Sequence, residues 1–422
     1  MCMFSFFLKA ITYKLKARSG QSLIEIIVGL AIGAVLIGAA VVGITFVLRS
    51  GSLNQQSRTA SGVSRALLQE VRSVSDSSWL DVYNLDRGIS HYIVASGTSL
   101  SAFEGKEGVV VNAPQDELQA HWNFDESVEN IVHNSVASGV RGDIIGTMPV
   151  FSCRVGTCRS FEGSQYMFFG DDSSLDLQAD FSVALWMYPD AVPVSNVGLV
   201  SKEGSPYGYG ITYDYDVDGQ VRFFVRDEGS SVQAPMPPQG WHHVVGVFGS
   251  SPSSFLNLYV DGLLAATSTL GFSASGASGD FFVGRHSSGF FDGMIDDVRV
   301  YSRAFDANDV WSLYNGRVFV RSFYVEDVFR DSVGEIVSSG GSLDPSTLKV
   351  TIVVEWNPVG SAAARHEVED YFTRWRNDVF HQSDWSEGPE SLVPIPEPGG
   401  GFSNSSNIRF SPGSIQIDEL NE

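Results

Sequence analysis

Acidic and histidine side chains are the residues of this sequence best suited to catalysis, and their spacing argues against it. Glycoside hydrolysis needs two carboxylates about 5–9.5 Å apart, which on one strand face means a pattern such as E-x-D-x-x-E. The nearest stretches, Met294–Val298 and Glu367–Asp370, lack the second glutamate. His242 and His243 are adjacent, so a strand would point them to opposite faces. The sequence also contains no G-x-S-x-G, H-E-x-x-H or phosphate-loop motif, and it therefore predicts a protein without catalysis.

The most apolar stretch of the chain contains a single charge. Ser22–Leu48 is long enough to cross a hydrocarbon core of about 30 Å as a helix, and its one charged residue is Glu25. A carboxylate in hydrocarbon costs roughly 2.5–3.5 kcal/mol, and a plain signal anchor would not need one. A secretory signal peptide has an apolar core of only about 7–15 residues, with its cleavage site beyond that core. The pattern therefore indicates a membrane helix with a specific use for Glu25.

The residues before this stretch resemble the class III leader of type IV prepilins and pseudopilins. A basic segment ends at Gly20, directly before Gln21, and consists of Lys9, Lys14, Lys16 and Arg18. The resemblance implies that a prepilin peptidase cuts between Gly20 and Gln21 and that the new N-terminus is methylated, although Gln21 stands where such proteins usually have phenylalanine. It also implies that Glu25 pairs with the terminal amine of a neighbouring subunit in a filament.

The helix is predicted to extend beyond the membrane. Apolar residues recur at helical spacings on a polar background, namely Leu53, Val63, Leu67, Val71 and Val74. No proline interrupts this pattern before Trp79. We therefore expect one long helix over residues 21–78, with residues 22–48 in the membrane and an amphipathic half packed on a sheet.

Short β-branched and aromatic runs, separated by Gly, Ser, Asp and Pro, fill residues 115–316. Examples are Phe181–Tyr188, Val221–Arg226, Trp241–Phe248, Leu256–Val260 and Met294–Tyr301. Strands at regular spacing without intervening helices predict a sandwich of two sheets. A segment of this length is large enough to bury a core of its own.

Motifs in this segment resemble the LamG-like jelly roll of the concanavalin A-like lectin superfamily. They include HWNFDES (121–127), FSVALWMYP (181–189), GWHHVVGVF (240–248), LYVDG (258–262) and FDGMIDDVRVYSRAF (291–305). The resemblance implies a binding module that often holds Ca²⁺ near its first and last strands.

Four residues of this segment offer the oxygen ligands that Ca²⁺ takes: Asp125, Asn134, Asp296 and Asp297. Because Asp296 and Asp297 are adjacent in a strand, we expect them on opposite faces, so that only one of them would bind the ion. The alternative is that these residues cap turns and a strand end.

Four tyrosines are candidates for the rim of a carbohydrate site. Tyr207, Tyr209, Tyr213 and Tyr215 lie in the stretch GSPYGYGITYDYDVDG (204–219), and lectin sites place aromatic rings beside polar groups. The alternative is that alternating tyrosines half-bury against a neighbouring sheet.

The segments on either side of the module resemble two parts of one pilin-like head. Residues 79–114 contain short strand patterns, and in residues 317–388 the run DPSTLKVTIVVEW (344–356) resembles the C-terminal part of prepilin-like proteins. The expected fold is therefore α+β and all-β: a long N-terminal helix with a small antiparallel pilin-like sheet, interrupted by the LamG-like sandwich. Residues 389–422 form a Pro/Gly/Ser-rich tail that we expect to be flexible, with one short strand within Ile408–Leu420.

Charge and cysteine content limit the partners and the compartment. The formal charge of −22 repels phosphate backbones, so a nucleic-acid partner is not expected. Cys2 would leave with the leader, residues 1–20, and an exported chain favours a disulfide between Cys153 and Cys158.

These patterns together predict a prepilin-like subunit of a type IV pilus or pseudopilus, exported to the cell envelope. Its expected partners are other pilin subunits, the prepilin peptidase, the membrane and a glycan or other cell-surface ligand. Two alternatives are a surface-anchored carbohydrate-active enzyme and a secretion-system pseudopilin whose insert contacts cargo.

Overall fold

The computed structural model describes residues 23–374 with gaps, together with 408–411 and 414–417. The gaps are residues 97–98, 127–129, 137–139, 205–207, 215–218, 237–238, 252, 272–277, 288 and 358–362. By its internal contacts the chain divides into two units, one ending at Thr59 and one beginning at Ala60. The predicted leader and most of the predicted tail lie outside the described residues.

The helices and strands follow one another in a simple order. The first elements are α1 (Leu23–Ser77), α2 (Trp79–Tyr83), β1 (His91–Ser96), β2 (Ser99–Glu104) and β3 (Glu107–Val111). The strands of the sandwich are β4 (Leu118–Trp122), β5 (Ile131–Val132), β6 (Gly142–Ile145), β7 (Val150–Ser152), β8 (Thr157–Glu162), β9 (Tyr166–Gly170), β10 (Phe181–Pro189), β11 (Val197–Gly204), β12 (Gly208–Asp214), β13 (Gln220–Pro235), β14 (His242–Gly249), β15 (Phe255–Val260), β16 (Leu263–Thr269), β17 (Gly279–Val283), β18 (Arg285–His286), β19 (Gly289–Phe290) and β20 (Asp292–Tyr301). The last elements are α3 (Ala307–Tyr314), β21 (Arg317–Arg330), β22 (Ile336–Val337), β23 (Ser342–Trp356), β24 (Ala364–Thr373), β25 (Ile408–Ser411) and β26 (Ser414–Ile417).

Helix α1 confirms the predicted long N-terminal helix. Among the described residues, α1 is the one helix whose length and composition would allow it to cross a membrane. Its large apolar side chains from Ile27 to Leu48 are exposed. From Ala60 onward its character changes, because Leu67, Val71 and Val74 are buried in one cluster with residues of a β-sheet.

That sheet, here called the head sheet, contains strands from both sides of the sandwich. Its order is β2-β1-β21-β23-β24, and β3 pairs with β21. The antiparallel register places Arg317 opposite Val111 and Phe319 opposite Val109. The chain therefore leaves the sheet after β3 and returns to it directly beside that strand, which is why the strand pattern of the sequence resumes after residue 316.

The sandwich itself consists of two antiparallel sheets. The back sheet has the order β16-β15-β14-β10-β20-β8-β7 with β4 on β20, and the front sheet has the order β13-β12-β11-β17-β9-β6-β5. The largest core side chains between them include Trp122, Phe161, Phe181, Phe223, Phe248 and Phe281. The antiparallel jelly-roll architecture expected from the sequence is confirmed.

Helix α3 corrects the expectation of a segment without helices. Asp306 caps its N-terminus by accepting hydrogen bonds from the backbone N–H groups of Asn308 and Asp309, and the Asp309 side chain accepts in return from the Asp306 N–H. An acidic capping box of this kind stabilises even a short helix. The Asp-x-x-Asp spacing of residues 306–309 is the sequence signal for this helix start.

Helix α3 and the head strands cover the outer face of the back sheet. One buried cluster, here called the junction cluster, unites Trp186 and Val245 of the back sheet with Val310 and Leu313 of α3 and with Val110 of β3. Gly108 of β3 also donates its backbone N–H to the Asp125 carboxylate at 2.7 Å. The sandwich therefore packs on the head through its back sheet. On the outer face of the front sheet, Ile145 of β6 is exposed, and Tyr166 and Phe168 of β9 are half-buried.

Candidate ligand-binding face

The outer face of the front sheet gathers aromatic side chains from neighbouring strands. Antiparallel register places Phe282 of β17 opposite Phe168 of β9, and Ile145 of β6 opposite Tyr166 of β9. Residues directly opposite one another share a face, so these four side chains lie together. Their strand neighbours Met167 and Phe281 point the other way, into the core.

The aromatic rings form one contiguous surface. The ring centroid of Phe282 lies 5.6 Å from that of Phe168 and 6.0 Å from that of Tyr166, and Phe290 lies 5.8 Å from Tyr166. The Arg285 guanidinium stacks on this surface, 4.4 Å from the Phe282 centroid and 5.1 Å from that of Tyr166. We call Tyr166, Phe168, Phe282, Phe290 and Arg285 the aromatic face.

Two carboxylates border the aromatic face. Glu203 of β11 lies directly opposite Asp280 of β17, and Glu203 Oε1 accepts the backbone N–H of Ser287 at 2.6 Å. A cavity of about 340 Å³ is lined by Ile145, Tyr166, Phe168, Glu203, Asp280, Phe282 and Arg285.

This combination of groups suits a small polar ligand with an apolar side. Ligand sites are concave and mostly apolar, with a few polar groups that fix orientation. The rings offer apolar surface for the C–H groups of a sugar, while Arg285 donates hydrogen bonds and the two carboxylates accept them. The sequence analysis missed this site, although the alternating residues of the run YMFF (166–169) gave the signal for a strand with one aromatic face in the core and one outside it.

The predicted tyrosine rim is wrong for the two tyrosines that the structure describes. Tyr209 and Tyr213 are 2% and 0% exposed and belong to the core between the sheets. Their hydroxyl groups donate to the carbonyl oxygens of Leu175, at 3.0 Å, and Met236, at 3.3 Å. Tyr209 and Tyr213 share their face of β12 with Ile211, which belongs to the same core. Tyr207 and Tyr215 lie outside the described residues.

The predicted calcium residues do not form one ligand shell. Asn134 Oδ1 accepts the backbone N–H groups of His121 and Val136 at 3.0 and 2.9 Å. The two carboxylate oxygens of Asp125 accept the N–H groups of Gly108 and Thr157. Both residues thus use their oxygens to hold backbone, which is the capping role left open from the sequence, and the described residues contain no group of three or more His, Cys, Asp or Glu arranged to hold a metal. Calcium binding stays a prediction.

The sequence predicts Asp296 and Asp297 on opposite faces of the strand, and this prediction is wrong. Between Ala184 and Trp186 the register of β10 with β20 shifts by one residue, and Asp297 has a φ of +50°. This β-bulge accommodates an extra residue, so both carboxylates lie on the outer face of the back sheet. Asp296 accepts the Val155 N–H at 2.8 Å.

Asp297 is an ion-pair partner in a buried network. The Arg299 guanidinium donates to it at 2.9 Å, and His121 Nε2 lies 2.7 Å away. Burial alone would raise the pKa of Asp297, but Arg299 and His121 outweigh it, and the pKa lies well below its usual value. Burial and the neighbouring Asp297 charge raise the pKa of Asp296 well above its usual value.

Both histidines of the strand β14 contact other residues of the fold. His242 Nδ1 lies 2.9 Å from the Asp261 carboxylate. His243 is 2% exposed beneath the junction, and burial lowers its pKa to about 4.

The structure joins Cys153 and Cys158 by a disulfide whose Cα atoms are 5.6 Å apart. The loop between them is held by the buried carboxylates, since Val155 donates to Asp296 and Thr157 to Asp125. The cleavage residues Gly20 and Gln21 and the side chain of Glu25 lie outside the description.

Two sequence families match the chain. Residues 15–41 match the prokaryotic N-terminal methylation motif, and residues 161–311 match the concanavalin A-like lectin/glucanases superfamily. No curated protein matches the chain.

Several solved structures match about half of the chain. Domain 4 of AbnA, an extracellular arabinanase of Geobacillus stearothermophilus in complex with arabinotriose, is 20% identical with a TM-score of 0.39, covering 47% of this chain and 98% of that domain. The binding domain of Paraclostridial Mosquitocidal Protein 1 is 10% identical with a TM-score of 0.40, covering 58% and 72%. Trypanosoma rangeli sialidase is 14% identical with a TM-score of 0.38, covering 48% and 33%.

Likenesses at these identities and TM-scores carry no argument about function. The two matched regions are the end of the predicted leader with the first part of the apolar helix, and most of the sandwich. The chain combines a prokaryotic N-terminal methylation motif with a concanavalin A-like jelly-roll domain.

Proposed function

We propose that this chain is a pilin-like subunit that displays its jelly-roll module as a glycan-binding part at the bacterial cell surface. The methylation motif supports processing by a prepilin peptidase and assembly with other pilin subunits. The module is a binding part without catalysis, and the proposal assigns its ligand to the aromatic face.

One observation carries the binding part of the proposal. The outer face of the back sheet is buried in the junction cluster, whereas on the outer face of the front sheet the rings of Tyr166 and Phe168 stay partly exposed and line a cavity. Because the sandwich is attached to the head through its back sheet, the aromatic face on its front sheet is available to a ligand from outside. In a filament with many copies, even weak binding at each face adds up through avidity.

A glycan array tests the ligand assignment. We expect the full chain in detergent micelles to bind a subset of the glycans, and Tyr166→Ala to weaken that binding at least tenfold. Tyr371→Ala is the matched control, because Tyr371 is an exposed tyrosine of the head sheet. Equal loss in both variants, or no glycan bound at all, would refute the assignment.

Mass spectrometry tests the processing. We expect the mature envelope protein to begin at Gln21, because Gly20 ends the basic segment directly before the apolar run. An uncut Met1, or a cut beyond residue 40, would contradict the pilin interpretation.

Filament assembly tests the role of Glu25. The variant Glu25→Ala should insert into the membrane at least as well as the wild type, since it loses a charge that costs a few kcal/mol in hydrocarbon. We expect it to assemble slowly or not at all, as measured by shear-released filaments. Assembly at the wild-type level would show that Glu25 does not register neighbouring subunits.

A further inference from the structure

The border of the aromatic face contains an unusual pair of like charges. Glu203 and Asp280 are directly opposite one another in an antiparallel register, an arrangement that destabilises a sheet. The Ser287 N–H donates a hydrogen bond to Glu203 and thereby partly offsets the repulsion between the two carboxylates. Asp280 is exposed, and among the described residues neither carboxylate forms an ion pair.

The neighbouring cations are committed elsewhere. Lys202 precedes Glu203 in β11, but its side chain points to the other face and its Nζ lies 3.0 Å from Asp171 and 2.9 Å from Asp176. Arg285 stacks on the rings of Tyr166 and Phe282 and donates its Nε–H to the Ser287 carbonyl oxygen. The carboxylate pair therefore faces a cavity that Arg285 also lines, without an ion pair to a described cation.

From this geometry we infer that the ligand of the aromatic face carries a protonated amino group, as in a glycan built of unacetylated amino sugars. The inference rests on the proposed glycan-binding function and adds the chemical class of the sugar. The ring carbons of such a sugar lie on the aromatic face, and its ammonium group donates charge-assisted hydrogen bonds to Glu203 and Asp280. The aromatic rings attract the same ammonium group through their π-electrons.

The charge of the whole chain acts in the same direction. A formal charge of −22 attracts a polycationic glycan and repels a polymer of uronic acids. Asp143, exposed on β6 opposite Phe168, adds a further negative charge to the same face. The attraction is electrostatic and therefore weakens as salt is added.

The experiment compares three oligosaccharides of equal length with the full chain in detergent micelles. The probes are oligomers of glucosamine, of N-acetylglucosamine and of galacturonic acid. At low salt we expect the glucosamine oligomer to bind at least about tenfold more tightly than the acetylated one. The uronic acid oligomer should not bind.

Variants separate the local pair from the overall charge. Asp280→Asn and Glu203→Gln should each reduce the preference for glucosamine about tenfold, whereas Asp190→Asn removes an exposed acid in the loop after β10 and should leave it unchanged. Equal affinity for the glucosamine and acetylated oligomers would overturn the inference. If the chain then still bound neutral glycans in a manner sensitive to Tyr166→Ala, the proposed function would stand and only the amino-sugar class would fall.

Discussion

The two outer faces of the sandwich contain similar residue types in opposite surroundings. On the back sheet, Trp186, His243, Asp297 and Arg299 are all less than 5% exposed, and Asp297 and Arg299 are paired with each other. Beside the outer face of the front sheet, Arg285 of the β18–β19 hairpin and the acids around it stay partly or fully exposed and form no ion pair among the described residues. Aromatic and charged residues in strands thus mark an internal interface on one side and an open face on the other.

The difference comes from what covers each sheet. Helix α3 and β3 lie over the back sheet, so its charges must be neutralised by partners because a buried unpaired charge is very costly. Buried charges of the front sheet follow the same rule, since Asp214 pairs with Arg222, but Asp143 and Asp280 beside the aromatic face are exposed and need no such partner. The carboxylates beside the aromatic face, which form no ion pair among the described residues, are therefore available for a ligand.

The largest effect that separates the two faces is expected from removing one carboxylate on each. Asp297→Asn leaves the Arg299 charge buried without its partner, which should lower the free energy of unfolding by about 3–5 kcal/mol. Glu203→Gln, the matched change on the open face, should alter it by about 0.5 kcal/mol or less. Urea unfolding of the two variants measures this. Similar losses would show that the two faces do not differ as described.

The next effect concerns the cover of the back sheet. A fragment of residues 115–316, the boundaries predicted from the sequence, lacks Val110 and the Gly108 N–H that Asp125 accepts. We expect it to be less stable than a fragment of residues 105–316 by roughly 3 kcal/mol, from an unpaired buried acceptor and lost apolar burial. Melting both fragments tests this, and identical melting curves would favour the shorter boundaries.

Lowering the pH should destabilise the covered face by protonating His243. Its pKa is about 4 in the fold against about 6.5 in an unfolded chain. Between these values the unfolded state binds more protons, so this contribution is complete above pH 6.5 and is lost as the pH falls toward 4, by up to about 3 kcal/mol. The raised pKa values of Asp125 and Asp296 act with the opposite sign.

The variant His243→Gln isolates the histidine from these acids. The stability difference between wild type and variant, from urea unfolding at pH 7, 5.5 and 4.5, should shift against the wild type as the pH falls. A difference that is independent of pH would mean that His243 does not titrate in this range.

The smallest effect is expected from the disulfide beside the covered face. A double Cys153→Ser, Cys158→Ser variant opens a loop of about six residues, which by chain entropy costs about 2 kcal/mol. Cys2→Ser is the control, since Cys2 lies in the leader. Thiol labelling of the folded, exported wild type should find neither Cys153 nor Cys158 free, and two reactive thiols would contradict the pairing.

The sequence predicted the architecture better than the site. Alternating strands and motifs such as IDDVRVY (295–301) predicted the jelly roll, because periodicity depends only on local spacing. For the tyrosines of β12 the sequence left a rim and a buried position open, since period two alone does not say which face of a strand is buried. Asp296 and Asp297 were placed on opposite faces because a β-bulge depends on the partner strand and leaves no mark in the pattern of one strand.

By itself, the sequence determined the basic segment before Gly20, the apolar helix with Glu25 and the jelly-roll strands, because hydrophobic length and strand periodicity are properties of neighbouring residues. Only the tertiary structure decided that β3 and β21 meet in one sheet, that the back sheet is covered, and that Tyr166, Phe282 and Arg285 converge on the open face. These contacts join residues more than a hundred positions apart, and pairing over such distances is decided by how whole sheets pack. The site therefore depends on how the two sheets of the sandwich pack, whereas the apolar helix is determined by one continuous stretch of residues.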